Sequence, residues 1–221
     1  MLQSLDIKVT RRFLILFMNL FTSNIPVSQA WLLCAYFISL FAVGFVWRSW
    51  AIYRETGINP LVLPAADTAQ GYIGRAFKWL MASLFVYLAA NALHWLPAWA
   101  LLWQSPLWLS TLAWSALSLA WVGVAIAQWQ MGHAWRIGID TRHATPLVVH
   151  GVFRASRNPI FLALRIALLG LLVLNPTAPI LVLAAIAEIL MQIQVRLEEV
   201  HLQQLHGSSY AGYRQRVRRW L

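Results

Sequence analysis

Long apolar runs with almost no charge, separated by loops that hold nearly every cation, leave this chain few ways to fold. Ala30 to Trp47, Trp79 to Leu96, Leu107 to Ala127, Ile160 to Leu174 and Ala178 to Val195 are such runs. About 20 apolar residues cross a bilayer as a helix. Inside lipid a backbone must satisfy its own hydrogen bonds, which leaves helices for segments of this length. Only 11% of residues are charged, against about 25% in soluble domains. The expected fold is therefore all-α, a polytopic transmembrane helical bundle of five spans. A sixth, shorter apolar segment, Phe13 to Phe21, dips into the membrane or lies along its surface.

The formal net charge of +10 raises nucleic acid as a partner. The placement of the cations excludes it, because they flank apolar runs as membrane topology dictates. Lys8, Arg11 and Arg12, the Arg48 to Lys78 loop, the Gln128 to Pro159 loop and the tail from Arg196 hold the basic residues. The turns near Asn24, Gln104 and Pro176 hold none. If the short first segment dips in and returns, all basic loops lie on the cytoplasmic side with the C-terminus. Thirteen Trp residues fit interfacial belts. Cys34 is the only cysteine, so no disulfide or cysteine-based metal site forms within one chain, and no metal is expected. No small-residue cleavage site follows the N-terminal cations, so no removable leader is expected. One domain covers 1–221, with membrane helices in 1–127 and a polar, site-bearing region in 128–221. No obligate protein partner is evident.

Two polar stretches interrupt the apolar pattern. The first is Leu147 to Phe161, LVVHGVFRASRNPIF. Gly151 takes backbone angles that other residues avoid, and Asn158-Pro159 is a turn dipeptide that starts a helix near Ile160. Arg154 and Arg157 make it rich in donors, though arginines at a helix start also serve as membrane anchors. The second begins at Glu188. Glu188, Gln192, Arg196, Glu199 and Gln203 follow at spacings of four, four, three and four, one polar stripe on a helix. Glu198 lies about 100° away. Gly207 ends that helix, Tyr210 and Tyr213 share the next turn, and Arg214, Arg216, Arg218 and Arg219 form a basic end expected mostly to meet anionic headgroups. Arg165 and Glu188 are charges inside apolar spans, ten residues either side of one turn. They are expected to pair near mid-bilayer or to share a polar cavity with Gln192, either as a staple of the hairpin or as part of the substrate side.

In this order the two stretches resemble the isoprenylcysteine carboxyl methyltransferase family of integral membrane enzymes. The family pattern is L-V-x-x-G-x-(Y/F)-R-x-x-R-(H/N)-P-x-(Y/F), then a helical hairpin, then E-E-x-x-L-x-x-x-(F/H)-G-x-x-Y-x-x-Y-x-x-x-V. Here these read Leu147 to Phe161 and Glu198 to Val217. Met131 to Gly138 is similar to a segment that bacterial members carry just upstream. The resemblance covers roughly the last 90 residues. Asn158 stands where eukaryotic members have His, and Phe153 and Phe161 where Tyr is common, departures that bear on substrate class.

The resemblance implies an enzyme that uses S-adenosylmethionine, set in a bacterial inner membrane, with a lipophilic small-molecule acceptor entering from the bilayer. The acceptor it implies is the carboxylate of an isoprenylcysteine-like or other lipid. A phospholipid amine or a small thiol is the alternative acceptor. It implies cofactor contacts from Leu147, His150, Gly151, Phe153, Arg157, Asn158, Phe161, Glu198 and Glu199. The chemistry is compatible. Carboxylates accept the hydrogen bonds that an ammonium and a ribose diol donate. Arg154 or Arg157 suits a carboxylate by bidentate pairing. Backbone N–H groups around Gly151 suit an adenine edge, and Phe153 or Phe161 suits its face. Arg157, Glu199 and Arg154 are the residues expected to carry the reaction. A carboxylate acceptor needs no general base; an amine or thiol draws attention to His150 and His133. A membrane reductase binding NADPH and a non-catalytic lipid-binding protein are the competing readings, and no arginine cluster is placed to select a 2′-phosphate.

Overall fold

The structure is a computed structural model that describes residues 26–62, 67–93, 95, 101–138, 143 and 145–221. The expected segment at Phe13 to Phe21 lies outside the described residues. Among the described residues six α-helices follow in order. They are α1 (Val27–Phe41), α2 (Arg48–Thr56), α3 (Ala69–Ala92), α4 (Leu107–Met131), α5 (Pro159–Leu174) and α6 (Ala178–Arg216). A π-helical stretch, Ala42–Trp47, joins α1 to α2 without a break. Gly44 sits in that stretch, and the buried Gln128 amide of α4 donates to its carbonyl at 2.6 Å. Satisfying a carbonyl that the wider turn frees is how such a bulge is tolerated in a dry interior.

Among the described residues four helices are long and apolar enough to cross a membrane: Val27–Thr56, Ala69–Ala92, Leu107–Ala134 and Ala178–Arg216. The fifth expected span is α5. Its 16 residues give about 24 Å at 1.5 Å per residue, less than the roughly 30 Å of a hydrocarbon core. Two polar segments are also more helical than expected. Arg48 to Thr56 continues α1 until Gly57 caps it at φ 68°. On the far side Thr68 accepts from Gly71 N–H at 3.0 Å and starts α3 ten residues before Trp79. The basic residues Arg48, Arg54, Arg75 and Lys78 therefore stand on helix ends that outrun the apolar layer.

α4 and α5 pack most closely. Their seam is built from small residues, Ala113, Ala120, Ala163 and Ala167, all buried. A side chain at Gly170 would press on Leu117 and on the Ala113 carbonyl, so the two backbones approach as small residues allow in membranes. Leu33 and Phe37 of α1, Leu84 and Leu88 of α3, and Leu171 of α5 complete the core. Trp79, Trp95, Trp108 and Trp129 point outward, where bilayer interfaces take them.

The two ends of the bundle differ. At one end Leu102 N–H meets the Pro176 carbonyl at 2.7 Å, Ser105 Oγ meets Val173 O at 2.6 Å, and Gln29 Nε2 meets Leu174 O at 2.7 Å. The connections gathered there are the cation-free ones. At the other end Val62 N–H donates to Ile137 O at 3.0 Å and Arg48 Nη2 donates to Gly132 O at 2.7 Å. The polar stretch before α5 and the chain terminus are gathered there too.

Candidate functional site

The stretch before α5 is held from two sides. Gly151, at φ 59°, opens a short 3-10 turn, Gly151–Arg154. A Cβ at this position would run into the side-chain amide of Gln130, at the end of α4. The same Gln130 Oε1 accepts from Val152 N–H at 2.8 Å. From the other side the buried Tyr213 donates its hydroxyl to Phe153 O at 2.6 Å. The N–H groups of Val152 and Phe153 are thus engaged, the second by His150 O at 3.1 Å. Phe153 is buried, and Phe161 packs into an apolar cluster with Leu80, Leu190 and Met191. Both aromatic rings are structural in this arrangement. His150 and Arg154 are exposed and Leu147 is half-buried.

Helix α6 brings the second half. Gly207 breaks it at φ 53° and ψ −122°, as its place in the sequence predicts. The chain turns there, and Tyr210 and Tyr213 pack inward with ring centroids 6.1 Å apart. The terminus then runs back along the first stretch. Arg157 N–H donates to Arg218 O at 3.0 Å. Ser156 Oγ and Asn158 Nδ2 both donate to Arg219 O, at 3.3 and 3.2 Å.

Glu199 lies at the centre. Arg219 grips it with both edges of its fork, Nε to Oε1 at 2.9 Å and Nη2 to Oε2 at 2.7 Å. Arg157 Nη2 lies 3.2 Å from Oε1, and the Arg157 and Glu199 side chains are 9% and 8% exposed. The hydrogen bond to Glu199 holds the Arg219 guanidinium above even its usual high pKa. A carboxylate buried this deeply is tolerable only because two cations share it. The arginine is not saturated in return. Among the described residues Arg157 Nε and Nη1 are buried and make no well-aligned hydrogen bond, and the Tyr210 hydroxyl, also short of one, faces the Arg157 guanidinium. Buried polar atoms without partners are rare and call for an occupant. Glu198, next in the chain, is half-buried and accepts from Gln194 at 2.8 Å.

The structure therefore brings Arg157, Asn158 and Glu199 together and adds Ser156, Tyr210 and Arg219. Arg219 corrects an expectation. It meets a carboxylate, not headgroups, because the break at Gly207 and the extended backbone at Val217 return the tail to the bundle. His133 stands apart, 2.9 Å from Glu55 Oε2 and largely exposed. The charges inside the spans do meet. Arg165 Nε lies 2.8 Å from Glu188 Oε2, Gln192 Nε2 donates to Glu188 Oε1 at 2.7 Å, and Arg165 stacks over the Trp220 ring at 4.4 Å.

Residues 108–209 match the family model for phospholipid methyltransferase. The chain is similar to that family over this segment, a little under half of its 221 residues. The matched segment contains Arg157, Asn158, Arg165, Glu188 and Glu199; Arg219 and Trp220 follow it. Among solved structures, that of the eukaryotic intramembrane Ras methyltransferase, isoprenylcysteine carboxyl methyltransferase, superposes with a TM-score of 0.53 at 18% identity. The superposition covers 86% of this chain and 66% of that one, and at this identity it establishes the fold. No curated protein matches the sequence.

Proposed function

We propose that the protein transfers a methyl group from S-adenosylmethionine to a lipophilic acceptor at the basic end of the bundle. The observation that carries this reading is the buried, half-satisfied Arg157 between Glu199 and Tyr210. Its Nε and Nη1, which make no well-aligned hydrogen bond, suit a carboxylate, which accepts hydrogen bonds and donates none. Glu198, together with the lone pairs that Arg219 and Arg157 leave free on Glu199, suits an α-ammonium and a ribose diol. The cofactor has all three groups, so the residues fit it. Bound, it supplies an electrophilic methyl group on a sulfonium sulfur. The chain's own part is binding, alignment and exclusion of water, and alignment alone supplies about 7–11 kcal/mol of such a barrier.

The acceptor we favour is a lipid carboxylate, as in an isoprenylcysteine. A carboxylate reacts without a general base. His133 is tied to Glu55 at the surface and His150 is exposed, so neither stands beside Glu199 to serve an amine. The basic end is then the cytoplasmic end, and the membrane is that of a bacterial cell.

Calorimetry on the full chain in detergent tests the reading. Saturable binding of S-adenosylmethionine is expected, with none for NADPH. At 100 times Kd the ligand adds about 2.7 kcal/mol of stability. Glu198→Gln is the informative variant, because Glu198 accepts from Gln194 and stands outside the Arg157–Glu199–Arg219 ion pairs. A variant that folds and binds tenfold or more weakly supports the assignment of Glu198. No saturable binding by the unaltered protein overturns the reading.

A further inference from the structure

We propose that the Arg165 guanidinium is the binding point for an oxyanion on the lipophilic acceptor. The inference rests on the methyl-transfer reading only in calling that ligand an acceptor.

Arg165 lies six residues past Pro159, about 9 Å along α5, within an apolar segment where a cation is costly and marks function. Its pairing there is incomplete. Nε faces Glu188 Oε2, the ring of Trp220 covers one face of the fork, and neither Nη atom makes a hydrogen bond among the described residues. A pair that served only to staple α5 to α6 would use the fork bidentately, the stronger geometry.

The surrounding polar atoms are already used. Gln192 occupies Glu188 Oε1, and Arg196 Nη1 occupies Gln192 Oε1 at 2.8 Å. What remains to offer a ligand is the set of N–H groups on the two Nη atoms. Only a group that accepts without donating matches them, which means a carboxylate or a phosphate and not an amine, alcohol or thiol. The side chains are also reachable, with Arg165 29% and Glu188 38% exposed on an apolar flank. A ligand that slides in from the bilayer meets the fork without crossing the core.

The tail ties this point to the candidate cofactor residues. Arg219 holds Glu199 and Trp220 covers Arg165. These two contacts come from adjacent residues, whose Cα atoms are about 3.8 Å apart. The tail thus touches both points, whose carboxylates, Glu188 and Glu199, lie eleven residues, about 16 Å, apart along α6.

The same chemistry could come from the acceptor or from any anionic phospholipid, and the test separates them. The full chain is held in a maltoside detergent, which has no phosphate, well above the pKa of a fatty acid in micelles. Oleate, oleyl alcohol and phosphatidylglycerol are titrated without cofactor, reading affinity by calorimetry. Saturable oleate binding is expected, with oleyl alcohol at least about tenfold weaker, the loss of one good charge-assisted contact. Arg165→Lys, which keeps the charge and loses the fork, should bind oleate about tenfold more weakly. Arg165→Leu with Glu188→Leu, which removes the pair without stranding a charge, should lose the preference for the acid. Equal binding of oleate and oleyl alcohol overturns the proposal, as does an unchanged preference in the double variant. Phosphatidylglycerol that binds as tightly as oleate overturns the acceptor role and leaves a lipid headgroup site. No arm uses S-adenosylmethionine, so failure here is distinct from failure of the methyl-donor reading.

Discussion

Arg157 and Arg219 share one carboxylate on unequal terms. Arg157 is 9% exposed and Arg219 31% exposed, so water screens the second contact and not the first. Glu199→Gln removes the charge from between them and leaves the Arg157 cation buried without compensation. Breaking a buried pair on one side typically costs about 3–5 kcal/mol, and that loss is expected in denaturant unfolding of the detergent-solubilised chain. Arg219→Ala leaves Glu199 paired with Arg157 and should cost about 1 kcal/mol, a typical hydrogen-bond contribution. The smaller loss should appear in neutral detergent as well as on anionic vesicles. A loss confined to anionic vesicles would return Arg219 to the headgroups. Asn158 and Ser156 receive the tail through the Arg219 carbonyl, so the Ala variant keeps that docking and isolates the side chain.

At the scale of elements, the 3-10 turn depends on a residue without a side chain. Gly151 has φ 59° and no room for a Cβ beside Gln130. Gly151→Ala is expected to displace the turn, expose Val152 N–H and destabilise the chain by about 1–3 kcal/mol. Gln130→Ala relieves the clash but abandons Val152 N–H, so the double variant should recover only part of the loss. The same unfolding measurement checks both, and full recovery would show that the amide contact contributes nothing. This turn, the break at Gly207 and the Arg165–Glu188 pair were all legible in the sequence, because each follows from one residue type at one position or from counting along a hairpin. Arg219 and Tyr210 were not. The Arg219–Glu199 contact spans twenty residues and needs a backbone reversal after Val217, and no local pattern at a run of arginines distinguishes that from an exposed basic tail. The engagement of Phe153 and Phe161 in packing was equally hidden, since an aromatic residue beside a polar loop reads the same whether its ring faces a ligand or the core. The helical ends before Trp79 and after Trp47 were missed for a simpler reason. Apolar runs mark where lipid begins, while helices continue until a cap such as Thr68 or Gly57 ends them.

For the whole molecule, the segregation of charge between the two ends of the bundle sets its orientation. The connections that meet at Leu102, Pro176 and Gln29 carry no Lys or Arg, while Arg48, Arg54, Arg157 and the terminal arginines gather at the other end. A short loop rich in Lys and Arg is retained on the cytoplasmic side, so one end should face the cytoplasm and the other should not. Cys34 is buried at 5% exposure, which makes single-cysteine labelling direct. A membrane-impermeant maleimide added to intact cells should leave the unaltered chain unlabelled. In a Cys34→Ser background, Gln104→Cys at the cation-free end should label in intact cells. Gln215→Cys, exposed beside the terminal arginines, should label only after the membrane is permeabilised. The reverse pattern would place the Arg157–Glu199 cluster outside, away from the cytoplasmic pool of S-adenosylmethionine, and would remove the basis for a cytoplasmic donor site. Labelling of both positions in intact cells would mean that the bundle lacks a single orientation.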